Sequence, residues 1–242
     1  MVDKLTIARS ELILGGQKSG KSRRAELLAR AWLTASPQHH AVLIATAQPW
    51  DEEMRVRIER HQRERALRVP GLRTLEEPVH LAQAIAGHSR PDTLLVIDCL
   101  TLWLTNWLMP AGPHPNPLPE GEGMREVHLP EGEGTKRGIS PEGVRAGQAT
   151  LPGDEGASSS LSPWERAGVR AAPQAQLLQA IERAPGPLVL VGNEIGLGVI
   201  PMGAEVRAFV DALGRLNQDV AQVCQRVTLM AAGLPLTLKE GA

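Results

Sequence analysis

Eight residues near the amino end limit this chain more than any other feature: Gly15-Gly16-Gln17-Lys18-Ser19-Gly20-Lys21-Ser22. They fit the pattern G-x-x-x-x-G-K-[ST] at every position. An apolar, strand-like run (Glu11–Leu14) precedes them, and a helix-forming run (Arg23–Ala35) follows. A strand that turns through glycines into a helix has the geometry a bound phosphate requires. The glycines let successive N–H groups converge on an anion, and the helix start adds the positive end of its dipole. In such a loop Lys21 reaches the β- and γ-phosphates, and the Ser22 hydroxyl ligates Mg²⁺. Taken alone, the motif says only that a nucleoside triphosphate binds.

The rest of the chain fits that beginning. Ala41–Ala45, Leu94–Asp98 and Leu188–Val191 are short apolar runs of the kind that form buried parallel strands, and Val227–Ala232 is a fifth candidate. Helical patterns fall between them at Arg23–Ala35, Asp51–Arg65, Pro78–Gly87 and Glu205–Cys224. Asp51 is an N-cap type residue followed by two acids, as the helix dipole favours. Strands that alternate with helices predict an α/β fold, a mostly parallel sheet with helices on both faces. Ligands of such sheets sit at the carboxyl ends of the strands. Leu94-Leu95-Val96-Ile97-Asp98 places a carboxylate there, either beside the Mg²⁺ of the phosphate site or as a cap for the next helix.

One segment departs from this alternation. Residues 110–172 hold 9 of the 19 prolines and 11 of the 24 glycines, and LPEGEG occurs at 118–123 and again at 129–134. So little apolar surface cannot offset the entropy of ordering the chain. The segment is expected to be a disordered insertion within one domain spanning 1–242. Its ends resemble translated copies of a short bacterial intergenic repeat.

The net charge of −1 gives no reason to expect a nucleic-acid partner. Cys99 and Cys224 lie far apart, and Cys99 reads as a reduced, buried thiol. No membrane span is visible, so a soluble, cytoplasmic protein is expected.

The second helix carries further chemistry. In Asp51–Arg65, the residues Met54, Ile58 and His61 share one face, as do Arg57, His61 and Arg65. His61 is either a structural residue beside an apolar stripe or a nucleophile. Guanidiniums on both sides favour a neutral, nucleophilic imidazole, and they can hold a triphosphate for attack. The arginines themselves read either that way or as a solvated face paired with Glu53, Glu59 and Glu64.

Several blocks together resemble the bifunctional adenosylcobinamide kinase / adenosylcobinamide-phosphate guanylyltransferase family. They are GGQKSGKSRRAE, the strand ending Ile44-Ala45-Thr46-Ala47, DEEMRVRIERH, Arg73-Thr74-Leu75-Glu76-Glu77-Pro78, LLVIDCLTLWLTN, Asn193-Glu194-Ile195-Gly196-Leu197-Gly198, and Gly214-Arg215-Leu216-Asn217-Gln218. The resemblance covers nearly all of the chain outside 110–172. It implies a P-loop NTPase (RecA-like) fold, usually oligomeric. It also implies phosphorylation of adenosylcobinamide, a corrinoid, by a nucleoside triphosphate. Transfer of GMP from GTP to the phosphorylated product follows, with ATP and GTP as substrates and Mg²⁺ as cofactor. By the same resemblance His61 takes GMP covalently. Gly15–Ser22, Ala45–Ala47 and Gln62, Arg63, Glu64 and Arg65 contact nucleotide, while Glu76 and Asp98 are acidic residues of that site. Two alternatives stay open, a kinase without nucleotidyl transfer and a nucleotide-sensing regulator.

Overall fold

The computed structural model describes residues 5–49, 52–108, 167–198 and 201–241. In chain order the elements are β1 (Ser10–Gly15), α1 (Lys21–Ala35), β2 (His40–Ala45), α2 (Glu52–Arg68), β3 (Leu72–Glu76), α3 (Leu81–His88), β4 (Thr93–Asp98), α4 (Leu100–Leu108), α5 (Ala167–Arg183), β5 (Leu188–Val191), α6 (Ala204–Val223), β6 (Arg226–Ala231) and β7 (Leu234–Glu240). The seven strands form one sheet in the order β3-β2-β4-β5-β1-β6-β7. All neighbours are parallel except β6 and β7, which are joined by a tight turn.

The five apolar runs became strands because both faces of the sheet are covered. Ile13, Leu43, Val96 and Val189 pack with Ala25, Leu28 and Ala29 of α1 on one face. Leu12, Ile44, Ile97 and Leu190 pack with α3, α5 and α6 on the other, against Ile85, Leu177, Leu213 and Leu216. Each fully buried Leu or Ile contributes roughly 1.5–3 kcal/mol. Charged side chains are buried among them as well. Glu11 of β1 accepts hydrogen bonds from Arg24 Nε (2.9 Å) and Thr228 Oγ1 (2.8 Å) and is paired with Arg226 at 3.4 Å. A buried carboxylate survives only with such compensation.

Some boundaries differ from the sequence reading. The third helix starts at Leu81 rather than Pro78, because the Glu77 carboxylate accepts the N–H groups of Val79 (3.0 Å) and His80 (2.7 Å) in a capping turn. The strands β3 and β7 and the helices α4 and α5 have no counterpart among the expected elements. Helix α5 begins at Ala167, inside the segment assigned to the insertion. The run after Gly168 consists of helix-compatible residues that lead into the Leu177 and Ile181 face. Residues 110–166 of the expected insertion lie outside the described residues. Both cysteines are buried free thiols, as expected of Cys99. Burial pushes Cys99 up to about 11 and Cys224 up to about 12. No helix among the described residues is long and apolar enough to cross a membrane.

Candidate active site

The site is built at the carboxyl rim of the sheet. Ala45 of β2 pairs with Glu76 of β3 on one side and with Asp98 of β4 on the other. Asp98 pairs in turn with Val191 of β5, and Val191 with Ile13 of β1. Strand β5 thus separates the Asp98 strand from the glycine loop. Two strand spacings put about 10 Å between them, a gap that α1 bridges.

Loop geometry depends on two glycines. Gly15 has φ 151°, and a Cβ there would lie 2.5 Å from the Met230 carbonyl oxygen and 2.6 Å from Ser19 Oγ. Gly20 has φ 102°, with its Cβ position 3.2 Å from Gly233 Cα. Side chains are strained at such angles. The Gly233 N–H, in the β6–β7 turn, donates to the Ser19 carbonyl (3.0 Å), so the hairpin props the loop from outside. Lys21 folds back across the cradle, and its Nζ donates to the carbonyls of Gly15 (2.9 Å) and Gly16 (2.6 Å). Burial pushes the Lys21 ammonium below its ordinary value, and Cys99 and Asp98 pull it back up. Gly16, Gln17 and Lys18 are exposed at the loop tip, whereas Ser19 is buried.

Ser22, in the first turn of α1, is one of the polar neighbours of the Asp98 carboxylate. Removal from water pushes Asp98 above the usual carboxylate range. Arg65, the Ser22 hydroxyl, Lys21 and His61 all pull it down. That list of neighbours ties α2 to the glycine loop, since His61 and Arg65 of α2 act electrostatically on the same carboxylate as Lys21 and Ser22. His61 is exposed rather than packed in the core.

Helix α2 is anchored to α1 by a carboxylate. Glu26, buried on α1, accepts from Arg68 Nε (2.7 Å) and Nη2 (2.9 Å) and lies 3.9 Å from Arg65 Nε. Such a fork-to-fork pair fixes orientation as well as distance. Arg65 is only 12% exposed and turns inward. Arg63 instead pairs with Glu59 (3.2 Å) and Glu64 with Arg68 (3.3 Å) along the outer face. Arg55 joins that face through Glu52 and Glu59. Arg63 thus lies on the outer face of α2, whereas Arg65 turns toward Glu26 and Asp98. The side chain of Arg57 lies outside the described residues. Gln62 Nε2 donates to Glu76 Oε1 (3.2 Å), which connects α2 with the end of β3.

Thr46 is fully buried, and its polar groups are engaged with protein. Its N–H donates to Asp98 O (3.2 Å), its hydroxyl donates to Cys99 O (2.7 Å) and accepts from Cys99 N (2.9 Å), and its carbonyl accepts from Asn106 Nδ2 (2.8 Å). Thr46 braces the turn that presents Asp98, between Ala45 and the half-buried Ala47. Sequence reasoning assigned no role to Glu26, Glu194 or Asn217. The signal for the last two was that both lie in blocks that carry the family resemblance, Asn193–Gly198 and Gly214–Gln218.

A glycine loop at the end of a parallel strand, a lysine spanning it and a Ser–Asp pair beside it define a P-loop nucleotide-binding α/β protein. The chain belongs to the cobinamide kinase / cobinamide phosphate guanyltransferase family, which matches residues 11–238. It is similar to the bifunctional adenosylcobalamin biosynthesis protein CobP of Pseudomonas aeruginosa, 36% identical over 230 residues that cover 95% of this chain and 96% of the relative. The proteins CobU of Escherichia coli and Salmonella typhimurium, each also called a bifunctional adenosylcobalamin biosynthesis protein, are 29% identical over 231 residues, 94% of this chain and 98% of each relative.

Proposed function

We propose that this chain phosphorylates adenosylcobinamide and then attaches GMP to the phosphate it has made. In the first reaction the acceptor hydroxyl oxygen attacks the γ-phosphorus of a bound nucleoside triphosphate. The bond to the β–γ bridging oxygen breaks, and the diphosphate leaves. Loop N–H groups and Lys21 hold the phosphoryl oxygens as charge moves onto the leaving group. To do so Lys21 exchanges the carbonyls of Gly15 and Gly16 for phosphate.

The Ser22 hydroxyl and the Asp98 carboxylate are hard oxygen donors that would hold Mg²⁺. A bound Mg²⁺ would neutralise phosphate charge.

In the second reaction a His61 ring nitrogen attacks the α-phosphorus of GTP, pyrophosphate leaves, and a histidine–GMP phosphoramidate forms. A phosphate oxygen of the corrinoid then attacks the same phosphorus, and the imidazole leaves. Arg65 shares the His61 side of Asp98 and balances the charge of the triphosphate. On this reading Gln62 and Glu76, hydrogen-bonded to each other, contact the nucleotide.

The observation that carries this reading is the position of His61. It is exposed on the face of α2 whose charge reaches Asp98, one helical turn from the inward-facing Arg65. Incubation with α-labelled GTP tests it. The wild-type chain is expected to retain acid-labile label on the peptide containing His61. His61→Ala should retain none while still transferring γ-phosphate to adenosylcobinamide. Undiminished label on His61→Ala would remove His61 as the nucleophile.

A further inference from the structure

The mechanism above leaves one carboxylate at the rim without a task. Glu194 follows β5, the strand between Asp98 and the glycine loop. Its N–H donates to the Gly15 carbonyl at 3.0 Å, the same oxygen that accepts from Lys21 Nζ at 2.9 Å. The Glu194 backbone and the ammonium thus share one acceptor in the glycine loop.

The side chain is held on the side away from α1. Asn217 of α6 is buried, and its Nδ2 donates to the Asn193 carbonyl at 3.0 Å and to Glu194 Oε2 at 3.4 Å. Among the described residues Glu194 Oε1 accepts only the Gly196 N–H, at 3.3 Å. Among the described residues it forms no ion pair. A half-buried carboxylate with two long hydrogen bonds has spare acceptor capacity. Helices α1 and α2 are linked through Glu26 and Arg68, whereas Asn217 belongs to α6, whose Leu213 and Leu216 pack on the opposite face of the sheet.

We propose that Glu194 is the general base of the phosphoryl-transfer reaction, aimed by Asn217. The assignment rests on the functional reading above. As the acceptor oxygen bonds to the γ-phosphorus, its proton passes to a Glu194 carboxylate oxygen. The bond to the β–γ bridging oxygen breaks with its electron pair on the departing diphosphate, and Glu194 later gives the proton to water. The two chemistries then approach the loop from opposite sides, with His61 on the α1 side and Glu194 on the α6 side. Glu194 has no part in forming the histidine–GMP adduct.

The full-length chain is assayed in single turnover with adenosylcobinamide and γ-labelled nucleotide, and in parallel with α-labelled GTP. Glu194→Gln is expected to slow γ-phosphate transfer by roughly 100- to 10,000-fold, with labelling of His61 by GMP unchanged. Glu194→Asp, which keeps the carboxylate but shortens its reach, should fall between. Asn217→Ala should lower the transfer rate while the KM for nucleotide stays unchanged. Equal losses in both assays for Glu194→Gln would mean a structural role and overturn the assignment, as would a γ-transfer rate close to wild type. Absence of γ-transfer in the wild-type chain would overturn the functional reading and this assignment with it, whereas failure of Glu194→Gln to behave as expected leaves that reading intact.

Discussion

Replacing Gly15 by alanine is the sharpest test of how the phosphate loop is held. The new methyl would lie 2.5 Å from the Met230 carbonyl oxygen and 2.6 Å from Ser19 Oγ. The serine hydroxyl can rotate away. The carbonyl cannot, because Met230 is the β6 partner of Gly15 in the parallel ladder. Backbone strain at φ 151° adds to the clash. Strain of about 1–3 kcal/mol and overpacking of about 1–3 kcal/mol act together, for a loss of roughly 2–6 kcal/mol. That is a large part of the roughly 5–15 kcal/mol that holds a typical domain. Gly16→Ala is the control, since a Cβ there meets nothing within 4 Å. Urea denaturation of the two variants beside the wild type gives the comparison. Gly15→Ala is expected to have a much lower midpoint and weaker nucleotide binding, and Gly16→Ala to unfold close to wild type. A loss below about 1 kcal/mol for Gly15→Ala, or equal losses for the two variants, would refute the argument.

Lys21→Ala should cost phosphoryl transfer about 3–4 kcal/mol, the usual worth of one preorganised donor on developing charge, read as the γ-transfer rate at saturating substrate. Asp98→Asn separates stability from function. Folding holds this carboxyl above its ordinary value, so its ionised form opposes folding once the pH exceeds the ordinary carboxylate range. The variant should therefore melt at or above the wild-type temperature near neutral pH. The difference should shrink on acidification, and γ-transfer should be lost throughout. Glu26→Ala should cost about 1–3 kcal/mol of stability through loss of charged hydrogen bonds to Arg68, and should lower GMP labelling more than γ-transfer because the helix carrying His61 loses its anchor to α1.

What could be read from the sequence, and what could not, follows from burial. The runs that became β1, β2, β4, β5 and β6 are enclosed on both faces, so they appear as uninterrupted apolar segments. Strand β3 is half-exposed at one edge and β7 forms the other, with Leu234, Leu236 and Leu238 exposed on one of its faces. Neither shows that signal, and Pro235 further disguises β7. Helix α4, LTLWLTNWL, merges with the apolar run of β4 in any window. At the site, the loop and Asp98 follow from local pattern. The distinction between Arg65 and its neighbours Arg63 and Glu64 depends on Glu26, 39 positions before Arg65 in the chain, and no periodicity reveals it. Thr46 has ordinary surroundings in the sequence. Its role as a brace appears only when Cys99 and Asn106 are brought to it.

Strand β1, which leads into the glycine loop, lies between two strands that follow it by more than 170 positions in the sequence. β1 lies between β5 and β6, and the turn at Gly233 supports the glycine loop. During synthesis the loop therefore emerges long before the residues that flank and prop it. Contacts this far apart in sequence form late and slowly. A nascent chain that stops short of the final hairpin carries every residue of the nucleotide motif and still lacks the Gly233 prop and the Met230 carbonyl beside Gly15. The shape of the phosphate loop thus depends on residues more than 200 positions further along the sequence.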